Sequence, residues 1–173
     1  MTNIELKASY PDLVRAESLA KQLDAKFQWR KRQVDTYFHV AHGRLKLREE
    51  EGEAAELISY FRADRAGSRE SNYQRLSLPV SEPLRQMLAD TLGVWLEVIK
   101  TRTLFLYQNV RIHLDEVENL GNFVEFEGVI AATAEIAVTT KLVQSLQRHF
   151  GISGEMLVRF SYSDLLQQQQ KTG

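Results

Sequence analysis

The sequence predicts an α+β protein with about eight antiparallel strands, closed into a barrel or stacked as a sandwich, and with helices outside. Eight segments alternate apolar and polar residues, and short turn-forming stretches such as "AHG", "QN" and "ENLG" separate them. Three further segments repeat apolar residues at helical spacing. No linker or fixed-period repeat divides the chain, so we expect one domain over residues 1–173.

The helical segments have recognisable ends. Residues 11–26 carry an apolar stripe, and residues 82–92 stop at Gly93, which favours the left-handed conformation that ends a helix. A third helix is expected over 134–149. A short fourth helix is expected near "SYSDLLQQQQ", followed by a frayed polar tail from about residue 167.

The predicted strands have the alternation of half-buried β-structure, in which successive side chains point to opposite faces. Their boundaries are uncertain by about 2–4 residues. The predicted strands are 3–9, 27–40, 43–50, 56–63, 72–79, 94–107, 109–118 and 121–130.

Composition and charge exclude several classes of protein. The net charge of −1 gives no overall attraction to nucleic acid or anionic lipid, and the absence of cysteine excludes disulfides and Cys-based zinc sites. The N-terminal "MTNIELKASY" lacks an apolar core of signal-peptide length, and no run of about 18 apolar residues is present. We therefore expect a cytoplasmic protein that binds neither nucleic acid nor membranes.

The segment "GRLKLREE" contains three cations on one face of a predicted strand. Arg44, Lys46 and Arg48 alternate with Leu45 and Leu47, so the cations face one way and the leucines the other. No acidic residue lies between the three cations. With no acid between them, three cations on one face are tolerable if a bound anionic ligand is their counter-ion.

The same pattern recurs in other predicted strands, and the charges are sorted by sign. "IKTRT" aligns Lys100 with Arg102, whereas "NFVEFEG" aligns Glu125 with Glu127. Ordinary solvated faces mix the two signs, because neighbouring like charges are unfavourable. The basic residues that these patterns place together are Lys7, Arg44, Lys46, Arg48, Arg62, Arg75, Lys100, Arg102 and Arg111.

A solvated sheet face explains any single strand, but the sorted set indicates an enclosed, ligand-binding face. Helices that cover the apolar sides would leave the charged sides to line a barrel, where unneutralised cations are costly. Arg and Lys bind phosphate oxygens, and glutamates such as Glu5, Glu125 and Glu127 are ligands that Mg²⁺ or Mn²⁺ prefers. The pattern therefore favours a triphosphate whose charge a divalent metal shares.

Several segments, in order, resemble the CYTH superfamily, also called triphosphate tunnel metalloenzymes. The family includes class IV adenylyl cyclases, thiamine triphosphatase and inorganic triphosphatases, and the chain is most similar to the class IV cyclase branch. The resemblance spans residues 3–166. The matching segments are "NIELK" (for E-x-E-x-K), "QVDTYF", "GRLKLRE", "KTR", "RIHLDEVENLG", "FVEFE" and "SYSDLL".

The resemblance implies a closed eight-stranded antiparallel tunnel, with helices packed outside, that binds a triphosphate and one or two divalent ions. It implies Glu5, Glu125, Glu127 and Asp115 as metal-site acids, and Lys7, Arg102 and Asp115 as catalytic residues. The phosphate-binding residues that it implies are Lys7, Arg44, Lys46, Arg48, Arg62, Lys100, Arg102, Arg111 and Arg159.

The sequence departs from the family pattern at two positions. Asn3 replaces the first glutamate of E-x-E-x-K, and an amide can bind a metal but cannot act as a carboxylate base. The family often has a lysine after the tyrosine of the fourth strand, but here Phe61 follows Tyr60, and Arg62 is expected to substitute for that lysine.

Three functions follow from this pattern. An adenylyl cyclase would convert ATP to cyclic AMP and pyrophosphate, and a triphosphatase would hydrolyse inorganic triphosphate, thiamine triphosphate or a nucleotide. A non-catalytic protein would bind polyphosphate or nucleotide, and an ion-paired Glu125 would favour this third alternative. The cyclase is preferred because Asn3 removes an acid that would orient a hydrolytic water. The sequence leaves a homodimer open.

Overall fold

A computed structural model of the chain describes residues 2–60, 73–79, 82–130 and 136–172. These residues form eight strands, four α-helices and one 3₁₀ turn at Gly154–Met156. In chain order they are β1 Thr2–Ser9, α1 Leu13–Gln22, β2 Lys26–Phe38, β3 Arg44–Glu50, β4 Ala55–Tyr60, β5 Tyr73–Leu78, α2 Glu82–Leu92, β6 Val94–Tyr107, β7 Val110–Val117, β8 Gly121–Ile130, α3 Ile136–His149 and α4 Tyr162–Thr172.

The strands form one eight-stranded sheet in the order β1-β8-β7-β6-β2-β3-β4-β5. The pairings β1–β8, β7–β8, β2–β3, β3–β4 and β4–β5 are antiparallel. The α+β class is therefore confirmed. The closed barrel is not confirmed, because no pairing joins β1 to β5 among the strands that the structure describes.

The chain divides into two compact units, and β2 and β6 contribute residues to both. Unit 1 comprises Met1–Arg30 and Thr101–Phe160, and unit 2 comprises Lys31–Lys100 and Ser161–Gly173. The single domain expected from the sequence remains a prediction.

In unit 1, helices α1 and α3 cover the apolar side of the paired strands β1, β8 and β7. Ile112, Val124 and Phe126 are completely buried there. Helix α3 comes so close to β8 that a Cβ at Gly128 would overlap the Thr139 side chain. Because side chains alternate along a strand, the intervening charged residues lie on the other face. This is the arrangement that the alternation predicted.

In unit 2, helix α2 packs its leucines against a smaller core built on Phe38 and Leu47. Gly93 ends α2 with φ +76°, and its amide donates to the Ala89 carbonyl at 2.9 Å. The carbonyl of Gly93 accepts from the His39 amide at 3.1 Å, which links the end of the helix to the end of β2. The predicted helix over 82–92 and its stop at Gly93 are confirmed.

Most predicted boundaries agree with the structure to within two residues. Helix α1 is shorter than the predicted 11–26, because Asp12 caps its first turn by accepting from the Arg15 amide and Asp24 adopts φ +56° after its last turn. Helix α4 continues through the residues from about 167 that were expected as a frayed tail. The predicted strand 56–63 is observed to Tyr60, and the remainder lies outside the described residues.

Among the described helices, none combines the length and apolarity needed to cross a membrane.

Candidate functional site

Strand β8 carries the two glutamates of "FVEFE" between two neighbours in unit 1. The antiparallel register places each glutamate directly opposite one residue of β1 and one residue of β7. Because facing positions in a sheet share the same side, acids and bases meet on the face that the helices leave uncovered. The facing sets are Lys7–Glu125–His113 and Glu5–Glu127–Arg111.

Arg102 is the centre of the first ion-pair cluster of unit 1. It binds Asp115 through two parallel hydrogen bonds of 2.6 Å, from Nε to Oδ1 and from Nη2 to Oδ2. Its Nη2 also donates to Glu125 Oε2 at 3.0 Å, and Lys7 Nζ lies 3.5 Å from Glu125 Oε1. Burial opposes ionisation of Glu125, but the charges of Lys7 and Arg102 outweigh it and lower the pKa to about 2. We name Lys7, Arg102, Asp115 and Glu125 the Arg102 cluster.

Glu127 accepts hydrogen bonds from three different side chains. Asn3 Nδ2 donates to Oε1 at 2.7 Å, and Arg111 Nη1 and His113 Nε2 each lie 3.3 Å from Oε2. The bond to His113, with the charge of Arg111, lowers the pKa of Glu127 although burial opposes this. Burial and the charge of Arg102 lower the pKa of His113, so we assign the neutral ring with its proton on Nε2.

The glutamates of unit 1 and the neighbouring Asn3 supply oxygen atoms that could bind one divalent cation. Glu5 and Glu127 face each other on β1 and β8, and two acids in facing positions favour the binding of a cation between them. Asn3 contacts Glu127, and its Oδ1 atom is buried without a hydrogen-bond partner in the described part of the chain. These oxygens are donors of the type that Mg²⁺ and Mn²⁺ prefer. Within the described ranges, no group of three or more His, Asp or Glu residues is already arranged around a metal position.

Asp35 is the centre of a second cluster, in unit 2. Its carboxylate accepts from Arg48 Nε at 2.7 Å, from Arg48 Nη2 at 2.9 Å and from Lys46 Nζ at 2.7 Å. Burial raises the pKa of Asp35, but the charges of Lys46, Arg48 and Lys100 lower it by more, to well below its usual value. We name Asp35, Lys46 and Arg48 the Asp35 cluster. Asp35 is thus a shared acceptor for two cations of the neighbouring strand.

Helix α4 supplies the partners of the other unit 2 cations. Arg44 Nη2 donates to Asp164 Oδ1 at 2.9 Å, and Arg44 Nη1 donates to Ser163 Oγ at 3.3 Å. The Lys100 ammonium lies 5.4 Å from the ring centroid of Tyr162, within the range of a cation–π contact. Lys100 is 4% exposed, so this contact is made by a buried charge.

The interpretation of "GRLKLRE" as a strand whose counter-ion comes only from a ligand is wrong. Arg44 pairs with Asp164, whereas Lys46 and Arg48 share Asp35. The cations of unit 1 likewise pair with protein carboxylates. An anionic ligand would therefore have to share or replace these partners rather than enter an unneutralised cavity.

The other predicted cations are more peripheral. Arg75 is exposed on β5 and lies 3.7 Å from Glu56. Arg159 is exposed in the segment before α4. Arg62 lies outside the described residues.

The strand patterns did not indicate that Asp35 and Asp164 are ion-pair partners of the β3 cations. Asp35 could have been found by counting the register of the β2–β3 hairpin, which pairs Phe38 with Leu45 and hence Asp35 with Arg48. Asp164 had no such signal, because its partner Arg44 lies 120 positions away.

A cavity of about 480 Å³ in unit 1 is separate from these clusters. Its lining residues lie on α1, on the preceding turn and on the strand face that carries Thr101 and Leu114, and none of them is a predicted site residue. The cavity therefore does not identify the functional site.

Antiparallel strands with ionised Arg, Lys, Asp and Glu on one face and helices on the other define a protein suited to bind a strongly anionic ligand. The model of one family, the CYTH domain, matches residues 1–162. The chain therefore belongs to the CYTH family, as the resemblance indicated.

Solved structures with the same fold include the PH1012 protein from Pyrococcus horikoshii OT3, with 21% identity, a TM-score of 0.81, and 94% of this chain and 98% of that chain covered. A Vibrio parahaemolyticus protein proposed to be an adenylate cyclase has 18% identity and a TM-score of 0.79, covering 96% and 98%. The Hippeastrum protein HpAC1, with a reported dominant triphosphatase activity, has 14% identity and a TM-score of 0.68, covering 98% and 96%. No curated protein sequence matches the chain significantly.

Proposed function

We propose that the protein is a divalent-metal-dependent enzyme that acts on a small-molecule triphosphate. The observation that carries this proposal is the pairing of β1 with β8 in unit 1. Glu5 faces Glu127, and two positions along the strands Lys7 faces Glu125. A pair of like-charged acids suits a metal, and the adjoining cation suits a phosphate that the metal also contacts.

The metal would be Mg²⁺ or Mn²⁺. Glu5, Glu125 and Glu127 would hold it, with Asp115 as a further acid of the metal site. When bound, it withdraws electron density from the phosphate oxygens and so favours attack at phosphorus. The enclosed tunnel implied by the resemblance and a cytoplasmic location remain part of the proposal. The cations that hold the phosphates are Lys7, Arg44, Lys46, Arg48, Arg62, Lys100, Arg102, Arg111 and Arg159.

The preferred reaction is that of an adenylyl cyclase. The ribose 3′ oxygen of ATP gives its proton to water and forms a bond to the α-phosphorus, while the bond from that phosphorus to pyrophosphate breaks. Catalysis of this kind depends mostly on positioning and on stabilising negative charge. Support comes from the similarity to the class IV branch and from Asn3, which replaces an acid that would orient a hydrolytic water.

Three residues have catalytic roles in this scheme. Lys7 and Arg102 stabilise the charge that develops on the departing pyrophosphate, and Asp115 fixes the Arg102 guanidinium through its two hydrogen bonds. Asp115 is completely buried, which strengthens these hydrogen bonds and favours one orientation of the guanidinium.

Hydrolysis of inorganic triphosphate, thiamine triphosphate or a nucleotide is the alternative reaction at the same residues. The activity reported for HpAC1 favours it, since that protein shares the fold. Asn3 is the residue that weighs against it in this chain.

A second candidate function is non-catalytic binding of a polyphosphate or nucleotide. One observation favours it. Glu125 is held in ion pairs with both Lys7 and Arg102, and these would have to loosen before the carboxylate could bind a metal.

Product analysis distinguishes the three functions. The pure protein is incubated with Mg²⁺ or Mn²⁺ and, separately, with ATP, inorganic triphosphate and thiamine triphosphate, and the products are identified by chromatography. Cyclic AMP with pyrophosphate identifies a cyclase, and orthophosphate identifies a triphosphatase. Tight binding without turnover identifies the binding protein, and the absence of both binding and turnover overturns the proposal.

A further inference from the structure

Gln33 is a buried amide with one hydrogen-bonding atom that the fold leaves unused. Its side chain is 2% exposed, and Nε2 donates to Glu50 Oε1 at 2.6 Å. The Oε1 atom of the same amide is buried and has no hydrogen-bond partner among the residues that the structure describes. A buried acceptor without a donor destabilises a protein, and such atoms in native folds call for an explanation.

The orientation of this amide follows from the chemistry of Glu50. An ionised carboxylate only accepts hydrogen bonds, so the amide nitrogen of Gln33 must face Glu50 and the amide oxygen must point away. The nitrogen carries two hydrogens, of which Glu50 takes one. Gln33 therefore offers one acceptor and one donor side by side, in a fixed order.

The position of Gln33 relates it to the Asp35 cluster. On the hairpin of β2 and β3, Gln33 faces Glu50, Asp35 faces Arg48 and Tyr37 faces Lys46. Gln33 and Asp35 thus lie on the same face of β2, about 7 Å apart along the strand. On this face of the hairpin, Asp35 is surrounded by cations. The next facing pair, Gln33 and Glu50, consists of an amide and a carboxylate.

We propose that Gln33 recognises the organic group of the substrate, and that this group contains an aminopyrimidine-type ring. This inference rests on the proposed function, since the cations beside Asp35 are taken to hold the phosphates. The exocyclic amine donates to Gln33 Oε1, and the adjoining nitrogen of the pyrimidine ring, which is N1 in adenine, accepts from the second Nε2 hydrogen. The substrate class is then an amino-bearing organic triphosphate rather than inorganic triphosphate.

Adenine and the pyrimidine of thiamine both present this amine-and-nitrogen edge. Hypoxanthine presents the reverse, because a carbonyl replaces the amine and the ring nitrogen is protonated. The Gln33 amide cannot turn over to match it, since its oxygen would then face the Glu50 carboxylate. Inosine triphosphate is thus a probe that differs from ATP in this edge.

The test is isothermal titration calorimetry on the full chain, with Ca²⁺ as the metal to slow turnover. The ligands are ATP, inosine triphosphate, thiamine triphosphate and inorganic triphosphate. The variants are Gln33→Met, which keeps the length of the side chain, and Glu50→Gln, which frees the orientation of the amide at a partly exposed position. Gln28→Met is the matched control, because Gln28 lies on the same strand but is exposed and bonds only to neighbouring carbonyls.

The wild type is expected to bind ATP about tenfold more tightly than inosine triphosphate, the value of about one hydrogen bond. Gln33→Met and Glu50→Gln are each expected to remove this ratio, whereas Gln28→Met keeps it and leaves the affinity for inorganic triphosphate unchanged. Whichever of ATP and thiamine triphosphate binds more tightly identifies the ring that Gln33 recognises. The inference is overturned, while the proposed function stands, if the wild type binds ATP and inosine triphosphate equally. It is also overturned if the preference for ATP is unchanged in both Gln33→Met and Glu50→Gln. A wild type that binds no triphosphate overturns the proposed function itself.

Discussion

The carboxylate of Asp35 binds the guanidinium of Arg48 side by side, with Nε 2.7 Å from Oδ1 and Nη2 2.9 Å from Oδ2. Lys46 adds a third hydrogen bond to the same carboxylate, at 2.7 Å. Asp35 is 3% exposed, so the interaction is made away from water. Both cations are thereby fixed in direction before any ligand binds, which lowers the entropy lost when they bind a phosphate.

The substitution Asp35→Asn is expected to lower the free energy of unfolding by about 3–5 kcal/mol, because it removes the buried negative charge that Lys46 and Arg48 share. Urea denaturation at neutral pH measures this loss. Asp90→Asn is the control, since Asp90 is an exposed residue of the same unit, and it should change stability by less than about 0.5 kcal/mol. Equal effects of the two substitutions would show that Asp35 does not organise the cations.

Stability is expected to fall in acid because of Glu125. Its pKa is lowered from 4.5 to about 2 in the folded protein, so the stabilisation is complete above about pH 4.5 and is lost as the pH falls through about 2. The loss is on the order of 3 kcal/mol. Denaturation of the wild type and of Glu125→Gln across pH 2–6 measures it, and the variant should show a flatter profile. Parallel profiles would contradict the assignment of Glu125 as an ionised, paired group.

The substitutions Glu125→Gln and Glu127→Gln are each expected to lower turnover by about 100-fold or more, because each removes a charged metal ligand. Mn²⁺ binding, measured by electron paramagnetic resonance without substrate, should weaken in parallel. Glu17→Gln is the control, since Glu17 pairs only with Lys21 on the surface of α1. Wild-type activity and wild-type Mn²⁺ affinity in both site variants would remove the proposed metal site.

The substitution Asn3→Glu tests the departure from E-x-E-x-K. Asn3 now donates to Glu127 Oε1 at 2.7 Å, and a glutamate would replace this donor with a third carboxylate beside Glu5 and Glu127. We expect tighter Mg²⁺ binding by about tenfold and more hydrolysis of inorganic triphosphate, measured by calorimetry and by orthophosphate release. Asn3→Gln controls for size without adding charge. Weaker Mg²⁺ binding in Asn3→Glu would show that position 3 does not belong to the metal site.

The fold could be predicted largely from the sequence, because its elements are local. The alternation of charged and apolar residues located every described strand except β4 to within about two residues at both ends, and Gly93 marked the end of α2. Sheet closure and the division into two units depend on contacts between distant segments. No periodicity within a strand reports such contacts.

The sequence predicted the composition of the site better than its ion pairing. The cations and glutamates of "GRLKLRE" and "FVEFE" do share strand faces, as the alternation indicated. The partners Asp35 and Asp164 were missed because an ion pair joins residues across strands or from a remote helix. Gln33 was missed because an amide oxygen without a donor can be identified only from coordinates.

The most direct test of the account is a crystal structure with Mn²⁺ and a non-hydrolysable triphosphate, the ion located by its anomalous scattering. We expect one Mn²⁺ bound by Glu5, Glu125 and Glu127, with phosphate oxygens in contact with Arg102. A Mn²⁺ ion remote from all three glutamates, or a triphosphate that contacts neither the Arg102 cluster nor the Asp35 cluster, would contradict it.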